Sequence, residues 1–268
     1  MSEVTRKVPI LRVNEQGVSA IKDTVVREHS VAIILNDREL VTLLCSPASL
    51  EYLVAGYLLS EGLVTSRDDI IAIKVTGNKQ RSTARVKIKG PARIAHYAAT
   101  GRQIASSGGR GISSAASAEP ENQIKIESKV TISDREIIVL VEKFQQCSPV
   151  FSATGGVHSA ALCNTGDIIV FSDDIGRHNA IDRVFGECLL KGIPTSDRLM
   201  VTSGRVSSEI LLKVARQNVP IIISVAAPTD RAVELASRFG ITLTGFVRGD
   251  RMNIYTHEWR ITTQEKQK

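Results

Sequence analysis

The sequence predicts an α/β protein: a mixed sheet covered by helices in a three-layer domain, preceded by a smaller α+β domain. Three observations carry this. From residue 126 onward, strand-length apolar runs alternate with segments of helical period, the rhythm of a sheet with helices packed on it. Residues 101–123, GRQIASSGGRGISSAASAEPENQ, are dominated by Ser, Gly and Ala and repeat no apolar face, which reads as a flexible loop. The 268 residues are 43% apolar but only 4% aromatic, so an aliphatic core is expected, in one large domain or two smaller ones. The division is placed at 1–125, including the Ser/Gly loop, and 126–268.

Residues 8–46 alternate or run apolar, and VAIILN and ELVTLLC flank Asp37-Arg38 as two strands joined by a tight turn. SLEYLVAGYLLSEG places apolar residues at helical spacing and closes on Gly62. Residues 70–76 and 84–89 read as strands across a turn at Gly77-Asn78. In the second half, Ser133 and Glu136 form a capping box for the helix DREIIVLVEKFQQ. VHSAALCN and DIIVFSDD are strands joined near Thr165-Gly166, and a helix runs from about Asn179 to Lys191 before Gly192-Ile193-Pro194. RLMVTSG is a strand, Ser207 or Ser208 opens the helix SSEILLKVARQN, and VPIIISVAA is the next strand. Thr229 caps DRAVELASRFG, which ends at Gly240, and ITLTGFVRGDRMNIYTHEWRI returns to strand.

Composition narrows the function classes. No 18-residue apolar run exists, so no membrane span is expected, and the N-terminus lacks a signal-like apolar region, which points to the cytoplasm. The net charge of +6 suits an anionic partner: a phosphate ester, an acidic protein face or a nucleic acid. Nucleic acid is disfavoured, because the basic residues are dispersed and no aromatic interleaving or reading motif accompanies them. Cys45, Cys147, Cys163 and Cys188 form no C-x-x-C pair. Three have apolar flanks and read as buried side chains, while Cys147 ends a helix before Ser148-Pro149.

Four polar clusters fall at strand–helix junctions: TGGVHSA, SDDIGRHNA, TSGRVSSE and GFVRGDRMNIYT. In an open α/β sheet the carboxyl ends of the strands line the ligand crevice. Free amides at helix starts, the hydroxyls of Ser207 and Ser208, and Arg177, Arg205, Arg248 and Arg251 suit phosphate. Equally, the glycines can serve turns and the arginines can pair with Asp173, Asp174, Glu209 and Asp250. His178 and Asn179 present specific hydrogen-bonding edges beside this crevice. Two histidines and Asp174 have no metal-binding spacing, so no metal site is expected. An enzyme using His178 as acid or base, and a scaffold without a small ligand, are the readings of other classes.

Taken together, TGGVHSAAL, DDIGRHNAIDRV, SGRVSSEI, PIIISVAAPTDRAVELASRFGITLTGFVRG and RMNIYT, with PASLEYLVAGYLLSEGLV earlier, resemble the formate dehydrogenase accessory protein family, FdhD. The resemblance implies a larger domain like the cytidine-deaminase fold without its zinc chemistry, and a homodimer. It implies sulfur transfer from a cysteine desulfurase to the molybdenum bis-guanine-dinucleotide cofactor destined for formate dehydrogenase, with GDP as a mimic of the cofactor's end. It places nucleotide handling at Phe246, Val247, Arg248, Gly249, Asp250 and Arg251, with His178, Asn179, Arg205 and Ser207 as further crevice residues. The family's loop C-x-x-C, where a persulfide forms, falls on SSGGRGISSAAS, within Gly108–Ser114, and no cysteine stands there. A hydroxyl cannot replace a thiolate as sulfur carrier. Cys147 is the remaining substitute, and cofactor binding without sulfur transfer is the alternative role.

Overall fold

The computed structural model describes residues 3–89 and 124–263. The chain opens with a two-stranded antiparallel hairpin, β1 (Thr5–Asn14) and β2 (Gly17–Val26), in which Asn14 lies opposite Gly17. A four-stranded sheet follows, in the order β4-β3-β6-β5, from β3 (His29–Leu35), β4 (Arg38–Cys45), β5 (Ile70–Gly77) and β6 (Arg81–Ile88). The β3–β6 pair is parallel and its neighbours are antiparallel. Every second residue of β3, from His29 to Leu35, is buried, the period-2 signature of a half-covered strand. The turn to β4 is Asn36-Asp37, one residue earlier than expected. Both residues take a left-handed φ (+46° and +65°), and the Asn36 amide exchanges hydrogen bonds with the Ile88 backbone.

Helix α1 (Leu50–Ser60) leads from this sheet toward the larger one. The larger sheet has six strands in the order β13-β12-β11-β10-β8-β9. They are β8 (His158–Cys163), β9 (Ile168–Asp174), β10 (Leu199–Thr202), β11 (Ile221–Ser224), β12 (Thr242–Arg248) and β13 (Arg251–Thr256). β10, β11 and β12 are parallel, while β8 runs against both β9 and β10, and β13 against β12. The predicted mixed sheet is thus present. A short parallel pair, β7 (Ile132–Ser133) with β14 (Ile261–Thr262), ties the end of the described chain to the start of its second half.

Helices cover both faces of the six-stranded sheet. Ile137, Leu140, Val141 and Phe144 of α2 (Asp134–Gln146) bury against Ala161, Cys163, Leu199, Val201, Ile221 and Ile223. The alternate residues Ala160, Leu162, Met200, Ile222 and Leu243 face α4 (Arg177–Lys191), α5 (Ser208–Arg216) and α6 (Asp230–Phe239). That second core is continuous with the buried side of the four-stranded sheet and with Leu53, Val54, Ala55 and Leu58 of α1. The short helix α3 (Pro149–Thr154) was not expected from periodicity. Ser148 caps it, Pro149 starts it and Gly155 ends it in a left-handed conformation.

Two glycines set how α1 meets α4. A Cβ on Gly56 would lie 1.7 Å from the Asp182 carbonyl oxygen, and one on Gly186 would lie 1.8 Å from that of Tyr52. The backbones of the two helices therefore touch, which only glycine allows. Among the described residues no helix is long and apolar enough to cross a membrane.

Candidate functional site

The strand directions bring one edge of the six-stranded sheet together. The C-terminal ends of β9, β10, β11 and β12 and the starts of β8 and β13 all lie there. So Asp173, Asp174, His158, the turn 203–207 and the segment 246–251 share an edge, together with the first turns of α4 and α5.

The β9–α4 turn is held by a buried carboxylate. Asp174 is fully buried and accepts from Ser46 N (3.0 Å), Gly176 N (2.9 Å), Asn179 Nδ2 (2.9 Å), Arg183 Nε (2.9 Å) and Arg183 Nη2 (2.7 Å). The buried Arg183 also donates to the carbonyls of Ser46 and Ala48. Each charge here is satisfied by its partner and by backbone, the condition under which a buried ion pair is tolerated. Asn179 is part of this knot, since its amide nitrogen also donates to the Leu44 carbonyl at 2.7 Å. One turn further along α4, Asp182 accepts from Ser60 Oγ and receives both its Lys213 contacts at 2.6 Å.

The hydroxyls around Asp173 form a second network. Ser148 Oγ donates to Asp173 at 2.6 Å and Ser159 Oγ at 2.5 Å, while burial raises the carboxyl against these bonds. Ser203 Oγ accepts from Ser159 N at 2.9 Å and lies 3.3 Å from His158 Nδ1. Burial, then Arg177, lowers the His158 pKa and favours the neutral ring, while Asp174 opposes the shift.

His178 is the second residue of α4 and only 6% exposed. Burial first, then Lys213 and Arg177, pushes its pKa down to about 3. Its Nε2 approaches Glu209 Oε2 at 3.6 Å. That distance is too long for a hydrogen bond, and a neutral ring makes no ion pair, so Nε2 is a buried polar atom without a hydrogen-bond partner. The Oγ of Ser207, the N-cap residue of α5, is in the same state. Such an atom costs about 1–3 kcal/mol unless something satisfies it. Arg177 and the exposed Arg205 flank this point. Burial, then Arg205, lowers the Arg177 pKa, and Glu209 opposes the shift. Gly204 permits the approach, since a Cβ there would lie 2.9 Å from Arg177 Cβ.

The segment 246–251 forms the end of the β12–β13 hairpin. Phe246 has φ +53° and is 38% exposed beside a register shift between Gly245 and Arg248. Bulges of this kind re-aim a side chain at the end of a strand. Val247 faces the core, Arg248 Nε donates to the Val225 carbonyl at 3.2 Å, and Gly249-Asp250 is the turn that sets Arg248 opposite Arg251. His178, Arg205, Ser207, Phe246, Arg248 and Arg251 are therefore at one sheet edge, with Asn179 holding the edge in place. His158, Arg177 and Glu209 join them. Each lay within a quoted cluster, but only the antiparallel β8 brings His158 round to β10.

Cys147 is exposed at the end of α2, beside Ser148 of the Asp173 network, and its Sγ donates to the Lys143 carbonyl at 3.3 Å. Cys45, Cys163 and Cys188 are buried, and burial pushes each thiol up to about 12. The family's cysteine position, Gly108–Ser114, lies outside the described residues. Among the described residues no three His, Cys, Asp or Glu side chains cluster as a metal site.

Similarity to known proteins runs through the whole of this architecture. The chain is 38% identical to the sulfur carrier protein FdhD of Bacillus subtilis over 97% of its length and 98% of the relative's. It is 36% identical to the protein of the same name from Listeria innocua, over 97% of this chain and 100% of that one. A crystal structure described as a formate dehydrogenase accessory protein, from Desulfotalea psychrophila, superimposes with a TM-score of 0.78 at 26% identity, covering 97% of this chain and 100% of that chain. The model of the FdhD/NarQ family matches residues 26–262, which include every strand and helix that builds the sheet edge, and the chain belongs to that family.

Proposed function

We propose that this protein is an accessory factor of formate dehydrogenase maturation. It holds a guanine-nucleotide end of the molybdenum bis-guanine-dinucleotide cofactor, its cargo, at the edge of the six-stranded sheet. The observation that carries the reading is the convergence of Arg177, Arg205, Arg248 and Arg251 on one edge with two helix starts, where the buried Nε2 of His178 and Oγ of Ser207 have no partner of their own. Forked guanidinium donors and helix N-termini are the groups that bind diphosphates. The names carried by the relatives, sulfur carrier protein and formate dehydrogenase accessory protein, support the same setting. In this reading, residues 126–268 form the cytidine-deaminase-like unit and 1–125 the smaller one. The protein works in the cytoplasm as a homodimer, between a cysteine desulfurase and formate dehydrogenase.

The sequence favours cargo binding over sulfur transfer, because residues 101–123 contain no cysteine. If sulfur passes through this chain, Cys147 is the exposed thiol that receives it. Its thiolate attacks the donor's persulfide, takes the terminal sulfur and releases the donor thiolate. Calorimetric titration with GDP at two salt concentrations tests the main reading. Binding that weakens with salt and falls about tenfold or more in Arg248→Ala or Arg251→Ala supports it. No heat of binding at low salt sinks it and leaves the scaffold reading.

A further inference from the structure

We propose that Glu209 is the residue that selects guanine, its carboxylate accepting the N1–H and exocyclic amine of the base at the first turn of α5. This rests on the nucleotide reading above and adds the group that distinguishes guanine from other bases. An acid in the first turn of a helix is accounted for by the helix dipole alone. Its surroundings are not. The lysine one turn along the same helix, Lys213, would ordinarily neutralise it. Here Lys213 is turned to Asp182, with both carboxylate oxygens at 2.6 Å. His178 is more than nine-tenths buried, and its unpartnered Nε2 is aimed at Glu209 from 3.6 Å. Ser207 Oγ, two residues before Glu209, is buried without a partner. In α2, α3 and α6 the N-cap hydroxyls of Ser133, Ser148 and Thr229 accept from the backbone, but in α5 the N-cap side chain does not. Arg177 is the cation that faces Glu209 through space. Among the described residues, two buried polar atoms and this partly exposed carboxylate thus converge on one helical turn with unused hydrogen-bonding capacity.

An ionised carboxylate only accepts hydrogen bonds. Guanine offers two adjacent donors, N1–H and the N2 amine, matched to its two oxygens. Adenine sets a lone pair at N1 against them and has no amine at C2, so a site built on this carboxylate rejects it. The neutral ring of His178 and the hydroxyl of Ser207 donate to the neighbouring acceptors of the ligand. Arg177 and Arg205 stand beside them for its phosphates.

The test is calorimetric titration of the full chain with GDP, IDP and ADP, in the wild type and in Glu209→Gln. IDP differs from GDP only by the missing amine, so the wild-type comparison needs no variant to fold. The wild type is expected to prefer GDP over IDP by about ten- to a hundredfold, and ADP to bind more weakly still. In Glu209→Gln the GDP preference collapses, while pyrophosphate binds at least as tightly as before, because the carboxylate that faces Arg177 is gone. Equal affinity of the wild type for GDP and IDP, or unchanged GDP preference in Glu209→Gln, overturns the role of Glu209 and leaves nucleotide binding standing. No GDP binding to the wild type overturns both.

Discussion

His178 shows how a single buried side chain ties stability to pH. In the unfolded chain its imidazole takes up a proton near pH 6.5, while in the native protein it resists protonation until about 3. The folded pKa is the lower one, so the stability this ring contributes is complete above pH 6.5 and is lost as pH falls toward 3. In that window the slope attributable to one such group is at most about 1.4 kcal/mol per pH unit. Urea denaturation between about pH 6 and pH 4 is expected to show a shallower loss in His178→Gln than in the wild type. An unchanged slope means the native ring titrates normally. Cys147 makes the complementary case for exposure. With three thiols buried and pushed up to about 12, native iodoacetamide labelling at neutral pH should add one group per chain, on Cys147, and none in Cys147→Ser. Rapid labelling of Cys45 in the folded protein contradicts the packing described. The burial of Cys45, Cys163 and Cys188 was legible in their apolar flanks. The state of His178 was not, because Lys213 and Glu209 reach it from another helix.

At the scale of elements, the α1–α4 crossing is the least tolerant contact. A Cβ at Gly56 or Gly186 meets backbone rather than a side chain that can swing aside. Gly56→Ala and Gly186→Ala should each cost about 3 kcal/mol or more, read as a lower urea midpoint. Gly166→Ala, whose nearest neighbour would be 3.8 Å away, should stay within about 0.5 kcal/mol of wild type. Equal effects at all three positions would deny the close approach. Element ends were legible in the sequence wherever a local group makes them. Ser133 with Glu136, Thr229, Gly192 and Gly240 act within a few residues of the end they define. Helix α4 begins two residues before the expected Asn179, because its N-cap Gly176 brings no side-chain signal. The glycine crossing was not legible at all. Gly56 and Gly186 read separately as unremarkable helix residues, and only the fold sets each against the other's backbone.

For the whole molecule, the clusters that build the sheet edge could be read from strand–helix junctions, but the ties between halves could not. Ser46 and Asp174 are 128 positions apart, and Arg183 reaches back 137 positions to the Ser46 carbonyl. No local pattern announces such pairs. These ties, with the continuous core beneath α1 and α4, join the four-stranded sheet to the six-stranded one. The β1–β2 hairpin has a different standing. Among the described residues its strands pair only with each other, Thr5 is its one buried residue, and Leu11, Val13 and Val18 are 70%, 74% and 66% exposed. Its attachment lies toward its base, where the last residues of β2 are half-buried beside α3, Val26 packs on Gly156, and Arg27 bonds to Val4 and Thr5. The family match also begins at residue 26. An isolated two-stranded hairpin adds little stability by itself. A chain beginning at Val26 should therefore fold with an unfolding free energy within about 1 kcal/mol of the full chain, and it should keep the GDP affinity of the sheet edge. Urea denaturation and the same calorimetric titration check both quantities. A large loss of stability would mean that the hairpin braces α3 and the start of β8. A loss of GDP binding with stability intact would mean instead that the base of the hairpin, two residues from His158 through Gly156, belongs to the site itself.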